Sequence, residues 1–309
     1  MARNLPSLTL VGTPRFRPFR NVWLLEELSD ALPAELGFRY EHEVVAPQSD
    51  EARAAHPMGK VPALHVSDGD DGDFTLIESA AINTWLGDRF REYCRAGTEA
   101  TFVVPRPGSR DRAAYDSFIH FLMAEADSSG LWIHRKLESL GEKKAFGAVR
   151  YALLPACASA VLSTRARHAA HTRLGLAWRR RLQYDRAMAG VRAQLEQQKA
   201  RANGAAYYLV GHITRHTFLA PSVHSSAHEA TRGTLRLSWQ VGSGFSAADV
   251  LLVHLCDWAE GIESDKGPAA CWFSKYASDD VFQEYLRCVR ARPAYRRAKE
   301  IQERSPVLT

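Results

Sequence analysis

His56-Pro57-Met58-Gly59-Lys60-Val61-Pro62-Ala63-Leu64-His65-Val66 is followed, after an acidic turn, by Phe74-Thr75-Leu76-Ile77-Glu78-Ser79-Ala80-Ala81-Ile82. The apolar run Ala63–Val66 predicts a strand, and Pro62 stands at its first position, where a missing N–H does least harm. Asp68 to Asp73, rich in Gly and Asp, predicts a turn, so residues 63–77 read as a β-hairpin. The second strand, Phe74 to Ile77, passes straight into Glu78-Ser79 and an alanine-rich helix.

Working outward, Leu8-Thr9-Leu10-Val11 is a short apolar run ended by Gly12-Thr13-Pro14, a buried strand and a turn. Phe19, Val22, Trp23 and Leu25 have helical spacing. Pro18 fits that helix's first turn and Pro33 limits its far end. Phe38, Tyr40, His42 and Val44 alternate with Arg39, Glu41 and Glu43, which predicts a half-buried strand over 38–44. With the hairpin and the Glu78 helix, the order is β-α-β-α-β-β-α.

A Gly-Lys-Val-Pro strand start, a hairpin and then Glu-Ser-x-Ala-Ile resembles the glutathione-binding half of the glutathione transferase superfamily. The resemblance implies a thioredoxin-like N-terminal domain and an all-helical C-terminal domain. It places the first at 1–92, a linker at 93–108 and the second at 109–309, with an insert at about 213–244. In that family the proline is cis and the backbone of the preceding residue, here Val61, is an exposed edge. Glutathione's cysteinyl backbone pairs with it as an added strand. Ser79 and the free N–H groups of its helix then suit the γ-glutamyl carboxylate. Glu78 suits the neighbouring ammonium, and Lys60 the glycyl carboxylate. Glutathione is thus the implied co-substrate and a hydrophobic electrophile the implied partner. Homodimerisation, a cytoplasmic location and a role in detoxification follow from the same likeness.

Catalysis in this family rests on a hydroxyl at the start of helix 1 that stabilises the glutathione thiolate, the true nucleophile. Here the pattern Ser-x-Pro-x-Arg is matched by Phe16-Arg17-Pro18-Phe19-Arg20, so Phe16 stands where serine is usual. Strand 1 ends in Leu10-Val11, which removes the tyrosine version as well. Three readings remain open: Thr13 supplies the hydroxyl; Arg15 or Arg17, with the helix N-terminus, supplies positive charge; or glutathione is held without activation. The last makes the chain a non-catalytic binding or assembly protein, because a fold does not carry an activity by itself. Phe16, Met123 and Trp132 are the candidates to face the electrophile, with plain packing the alternative for each.

The remaining sequence sets bounds. A chain of 309 residues accommodates about two domains. The net charge of +5 suits an anionic ligand, and no reader motif for nucleic acid accompanies it. The five cysteines form no C-x-x-C pair and none precedes Cys94, which excludes a redox-active thiol in the first domain and fits free thiols. No signal peptide or membrane-spanning run is predicted. Asp111 to Leu137 reads as a long helix or a kinked pair, and Asp279 to Ile301 as helical. Ser246 and Asp249 form a capping box, with Phe245 and Val250 as its hydrophobic staple. In the insert, Thr234–Val241 alternates like a strand. His212/His216 and His224/His228 have ligand spacing, but without Cys or H-E-x-x-H, and with Pro221 between, a surface loop or hairpin is the better reading and no metal is expected.

Overall fold

The computed structural model describes residues 5–68, 72–94, 104–128, 183–193, 195, 196, 200, 245–266 and 279–307. Trp132, the basic run that starts at Arg165, and the insert with its histidines and expected strand lie outside the described residues. The chain divides into two compact units. One is Met1–Asp116 with Gln194–His254 and Gln283–Thr309; the other is Ser117–Ala193 with Leu255–Phe282.

The first unit is built on a four-stranded sheet of order β2-β1-β3-β4, with β1 Ser7–Val11, β2 Glu41–Glu43, β3 Ala63–Asp68 and β4 Gly72–Ile77. β1 runs parallel to β2 and antiparallel to β3, and β4 is antiparallel to β3. This is the thioredoxin-like arrangement. Helices α1 (Pro18–Ala31), α2 (Asp50–Ala55) and α3 (Ser79–Phe90) connect or follow the strands. Leu8, Leu10, Leu64 and Val66 are buried on the sheet, and Ile82, Leu86 and Phe90 are buried on α3.

One expectation is corrected in extent. The predicted strand over 38–44 pairs only at Glu41–Glu43. Its alternation of burial persists over the whole run. Phe38 is taken by a T-shaped contact with Phe90, and Tyr40 by a 2.8 Å hydrogen bond to the Glu26 carboxylate, so side chains rather than a ladder hold that part. The run expected to be helical over 279–301 is helical in two pieces, α6 (Asp280–Arg290) and α7 (Pro293–Arg304). Pro293 offers no N–H to continue a helix and opens a new one instead.

Helix α1 is buried on more than one side: Phe19, Val22, Trp23, Leu24, Leu25 and Leu28 are all fully enclosed. Each such side chain contributes about 1.5–3 kcal/mol of transfer free energy. α7 lies along α1, where Tyr295 packs against Trp23 with ring centroids 4.9 Å apart. The same contact carries ion pairs. Arg292 donates to both Glu27 oxygens at 2.7 and 2.6 Å, and Trp23 Nε1 donates to Glu27 at 3.0 Å.

The capping box starts helix α5 (Ala247–Lys266) as the sequence predicts. Ser246 N donates to Asp249 Oδ2 at 2.8 Å and Ala248 N donates to Ser246 Oγ at 3.2 Å. Tyr285 Oη adds a hydrogen bond to Asp249 Oδ1. The Phe245 ring lies against Trp23 and beneath the Arg292 guanidinium.

The run expected as one helix or a kinked pair from Asp111 turns from α4 (Arg110–Phe121) into a π-helical stretch, Leu122–Asp127, which belongs to the second unit. Residues 183–193 are helical, and Gln183 donates to Glu125. Among the described residues no helix is long and apolar enough to cross a membrane.

Candidate functional site

The sheet topology gathers three separate segments at one end. β1 and β4 both run antiparallel to β3, so their C-terminal ends and the start of β3 coincide. Ala63 pairs with Val11 on one side and with Ile77 on the other. Gly12-Thr13, Val61-Pro62 and Glu78-Ser79 are the residues that leave or enter the sheet at that level. The Val61–Pro62 peptide is cis. Helices α1 and α3 both begin here. Neither has a side-chain cap hydrogen bond or an acidic residue in its first turn, so both present positive dipole ends. At α1 Pro18 has no N–H, and Phe19 N and Arg20 N donate to Phe16 O and Arg17 O, so the backbone donors for an anion are those of α3.

Glu78 carries φ +70°, the left-handed region, and is exposed, while Ser79 behind it is buried as the first residue of α3. Ser79 is held by α1: Asn21 Nδ2 donates to Ser79 O at 3.0 Å and to Asn83 Oδ1 at 2.7 Å. Arg20 Nη1 donates to Ser79 Oγ at 3.4 Å, and Arg20 Nε donates to His254 Nδ1 at 3.0 Å. His254 in turn stacks on Phe19 at 5.5 Å.

Lys60 is exposed and Val61 half-buried. The turn before them is fixed by Gln48, whose N donates to Gly59 O at 2.7 Å and whose Nε2 donates to Met58 O at 2.8 Å. His56 Nδ1 accepts the Met58 N–H at 3.0 Å, which fixes the same turn from inside.

The upstream loop is equally well tied. Gly12 N donates to Glu43 O at 2.8 Å, and His42 Nε2 lies 2.8 Å from Gly12 O. Burial lowers the His42 pKa, only partly offset by the bond to Gly12, so the neutral ring donates Nε2–H to that carbonyl. Thr13 is buried, and its Oγ1 accepts from Arg15 N at 3.4 Å. A hydroxyl that accepts from the backbone keeps its own proton to donate. The Arg15 side chain is directed to Ser305 O, with Nη2 at 2.8 Å. Arg17 occupies the N-cap position of α1 in a helical conformation and is half-buried. Phe16 is 42% exposed, between Thr13 and Pro18.

The segments holding Thr13, Phe16, Arg17, Lys60, Val61, Pro62, Glu78 and Ser79 therefore meet in one unit. Met123 is half-buried in the π-helical stretch of the other unit, and Trp132 is among the residues not described.

Sequence reasoning missed Arg20, Asn21, Gln48, Asn83 and His254. A polar pair such as Arg20-Asn21 inside an apolar helix reads as its solvent side, and periodicity alone does not reveal that both are enclosed. Gln48 gave one faint signal only in its position just before the helix that leads to His56.

The family model described as "Glutathione S-transferase, N-terminal domain" matches residues 32–89. This span carries β2 through most of α3, and so includes Lys60–Pro62 and Glu78-Ser79. The chain has the fold of the glutathione transferase superfamily. Poplar glutathione transferase F1 superposes with a TM-score of 0.51 at 12% identity, covering 97% of this chain and 99% of its own. Glutathione transferase Omega 2C from Trametes versicolor gives 0.51 at 13% identity, with 97% of each chain covered. Ure2p, solved in complex with glutathione, gives 0.52 at 14% identity, covering 95% of this chain and 94% of its own. No curated protein sequence matches the chain. At these identities the glutathione transferase likeness is one of fold, and the chemistry has to be argued from the site.

Proposed function

We propose that the chain binds glutathione at the Val61–Ser79 end of its sheet and transfers the glutathione thiolate to a hydrophobic electrophile. The observation that carries this reading is the register Ala63↔Ile77, which sets Val61-Pro62 beside Glu78-Ser79 at the start of α3. One segment offers an extended backbone to the cysteinyl residue. The other offers a helix N-terminus and a hydroxyl to the γ-glutamyl carboxylate, with Glu78 for the ammonium. Lys60 is the cation for the glycyl carboxylate. Ure2p was solved with glutathione on the same fold, which supports the choice of ligand.

For turnover, the sulfur lies towards Thr13 and the N-terminus of α1. Lowering a thiol pKa from the high eights to near 7 requires about 2–3 kcal/mol of preference for the thiolate. A charge-assisted hydrogen bond from the Thr13 hydroxyl contributes roughly 1.5–3 kcal/mol. The positive dipole end of α1 adds about 0.3–1 kcal/mol, and the Arg17 charge acts in the same sense. The sum is sufficient without serine at position 16. The thiolate then attacks the electrophilic carbon, forming the C–S bond, and any leaving group departs with the electron pair. Phe16, exposed beside Thr13, is assigned to the electrophile. A homodimer and a cytoplasmic, detoxifying role accompany this reading.

One observation favours a second reading, retention of glutathione without transfer: the Thr13 hydroxyl is buried and engaged with the Arg15 N–H. Two measurements separate the two. Glutathione at 100-fold its Kd raises unfolding stability by about 2.7 kcal/mol if the site is used. Conjugation of 1-chloro-2,4-dinitrobenzene then reports turnover. Stabilisation with turnover supports transfer, stabilisation without it supports retention, and no stabilisation overturns both.

A further inference from the structure

We propose that Arg20 is a positioning residue that turns Ser79 into a carboxylate-specific donor. The inference rests on glutathione being the ligand and deepens that reading.

Arg20 is completely enclosed, so its guanidinium touches no solvent and is held by what surrounds it. Its Nη1 donates to Ser79 Oγ at 3.4 Å. Arginine only donates, so the serine oxygen accepts at that contact and the hydroxyl proton is left to point elsewhere. The same residue is gripped at its other polar end, because Asn21 Nδ2 donates to Ser79 O at 3.0 Å. Asn83 Nδ2 donates back to Arg20 O at 3.4 Å, so α1 and α3 are tied on both sides of the serine. The rotation of the guanidinium is set by His254, whose Nδ1 accepts from Arg20 Nε at 3.0 Å and whose ring is stacked on Phe19.

The result is a hydroxyl oriented as a donor, with a fixed cation behind it and the first N–H groups of α3 beside it. A cation behind a donor hydroxyl polarises it towards an anion and strengthens the bond it donates. A neutral acceptor gains far less. Arg20 therefore makes the subsite select the γ-glutamyl α-carboxylate over an uncharged group, although it does not itself touch the ligand.

The test uses isothermal titration of the full chain with two ligands. One is glutathione. The other is 4-aminobutyryl-cysteinyl-glycine, which keeps the amine and lacks the α-carboxylate. Arg20→Met is expected to weaken glutathione roughly 10- to 100-fold, the size of a lost charge-assisted contact. The same variant leaves the affinity for the analogue within about twofold, since no charge-assisted contact is lost there. Arg20→Lys retains the cation and is expected to restore part of the discrimination. Equal weakening of both ligands in Arg20→Met marks a merely structural role and overturns the proposal. So does a wild-type chain that binds both ligands equally. Should Arg20→Met fail to fold, the glutathione-to-analogue ratio in Arg20→Gln, which keeps a donor and removes the charge, decides, and a ratio unchanged from wild type overturns the proposal. A wild-type chain that binds neither ligand refutes glutathione as the ligand, a result distinct from any effect of Arg20.

Discussion

Gly12 and Val61 approach more closely than any side chain on Gly12 permits. A Cβ on Gly12 comes within 2.7 Å of Val61 Cβ and 2.8 Å of Pro18 Cγ. Its φ of +135° is also a conformation that L-residues rarely adopt. The loop with Thr13, the start of α1 and the residue before the cis-proline are thus packed around a single hydrogen atom.

Gly12→Ala is therefore expected to destabilise the chain by about 2 kcal/mol or more, through combined backbone strain and overlap. Gly37→Ala is the control: its φ is +60° but open space surrounds it, so the loss is about 1 kcal/mol. Urea unfolding of both variants measures the contrast. Glutathione affinity is expected to fall only in the first.

Thr13→Ala separates the two readings of the sulfur site. If the hydroxyl donates to the thiolate, kcat/KM for conjugation falls roughly 10- to 100-fold, and the apparent pKa of the bound thiol in the pH–rate profile rises. Unchanged rates with an unchanged profile remove Thr13 from catalysis and shift the weight to Arg17 and the helix terminus.

His42 links stability to pH. Burial holds its folded-state pKa below 6.5, so the unfolded chain takes up a proton first as the pH falls. Its stabilising contribution is complete above about pH 6.5 and is lost as the pH falls from there through the folded-state pKa. His42→Gln keeps a donor for Gly12 O and carries no titrating group. Urea midpoints measured across this interval are expected to be flatter for the variant than for the wild type.

The Glu27–Arg292 pair fastens α7 to α1, and Glu27 is only 6% exposed. Arg292→Met leaves that carboxylate without its paired cation, with the hydrogen bond from Trp23 Nε1 retained, and is expected to cost about 3 kcal/mol. Glu27→Gln removes the charge and keeps an acceptor, so the double variant is expected to lose less than the sum of the two singles. Chemical denaturation of the four proteins completes the cycle.

The fold was legible because its signals are local. Pro62 before an apolar run, the Gly/Asp turn and the Ser246/Asp249 spacing each act within a few residues. The alternation from Phe38 to Val44 correctly reports burial, yet it cannot state how far the ladder extends, because pairing depends on the partner strand. The places of Val61, Pro62 and Ser79 at the starts of β3 and α3 were readable from the same local patterns. Arg20, Asn21 and His254 were not, since their role arises from a meeting between α1, α3 and α5 that no sequence spacing encodes. The departure at Phe16 was visible at once. Its consequence, a buried Thr13 tied to Arg15 N, needed coordinates.

Arg15 reaches Ser305 O, and Gln302 Nε2 donates to Pro14 O at 2.7 Å. The loop on which Thr13 sits is thereby buttressed by residues some 290 positions downstream. On the ribosome, the sheet of the first unit has all its strands by residue 77, but the Gly12-Thr13 loop lacks this support until residues 302–305 emerge. The full bracing of that loop is for that reason a late event in the life of the nascent chain, arriving long after the strands of the sheet are made.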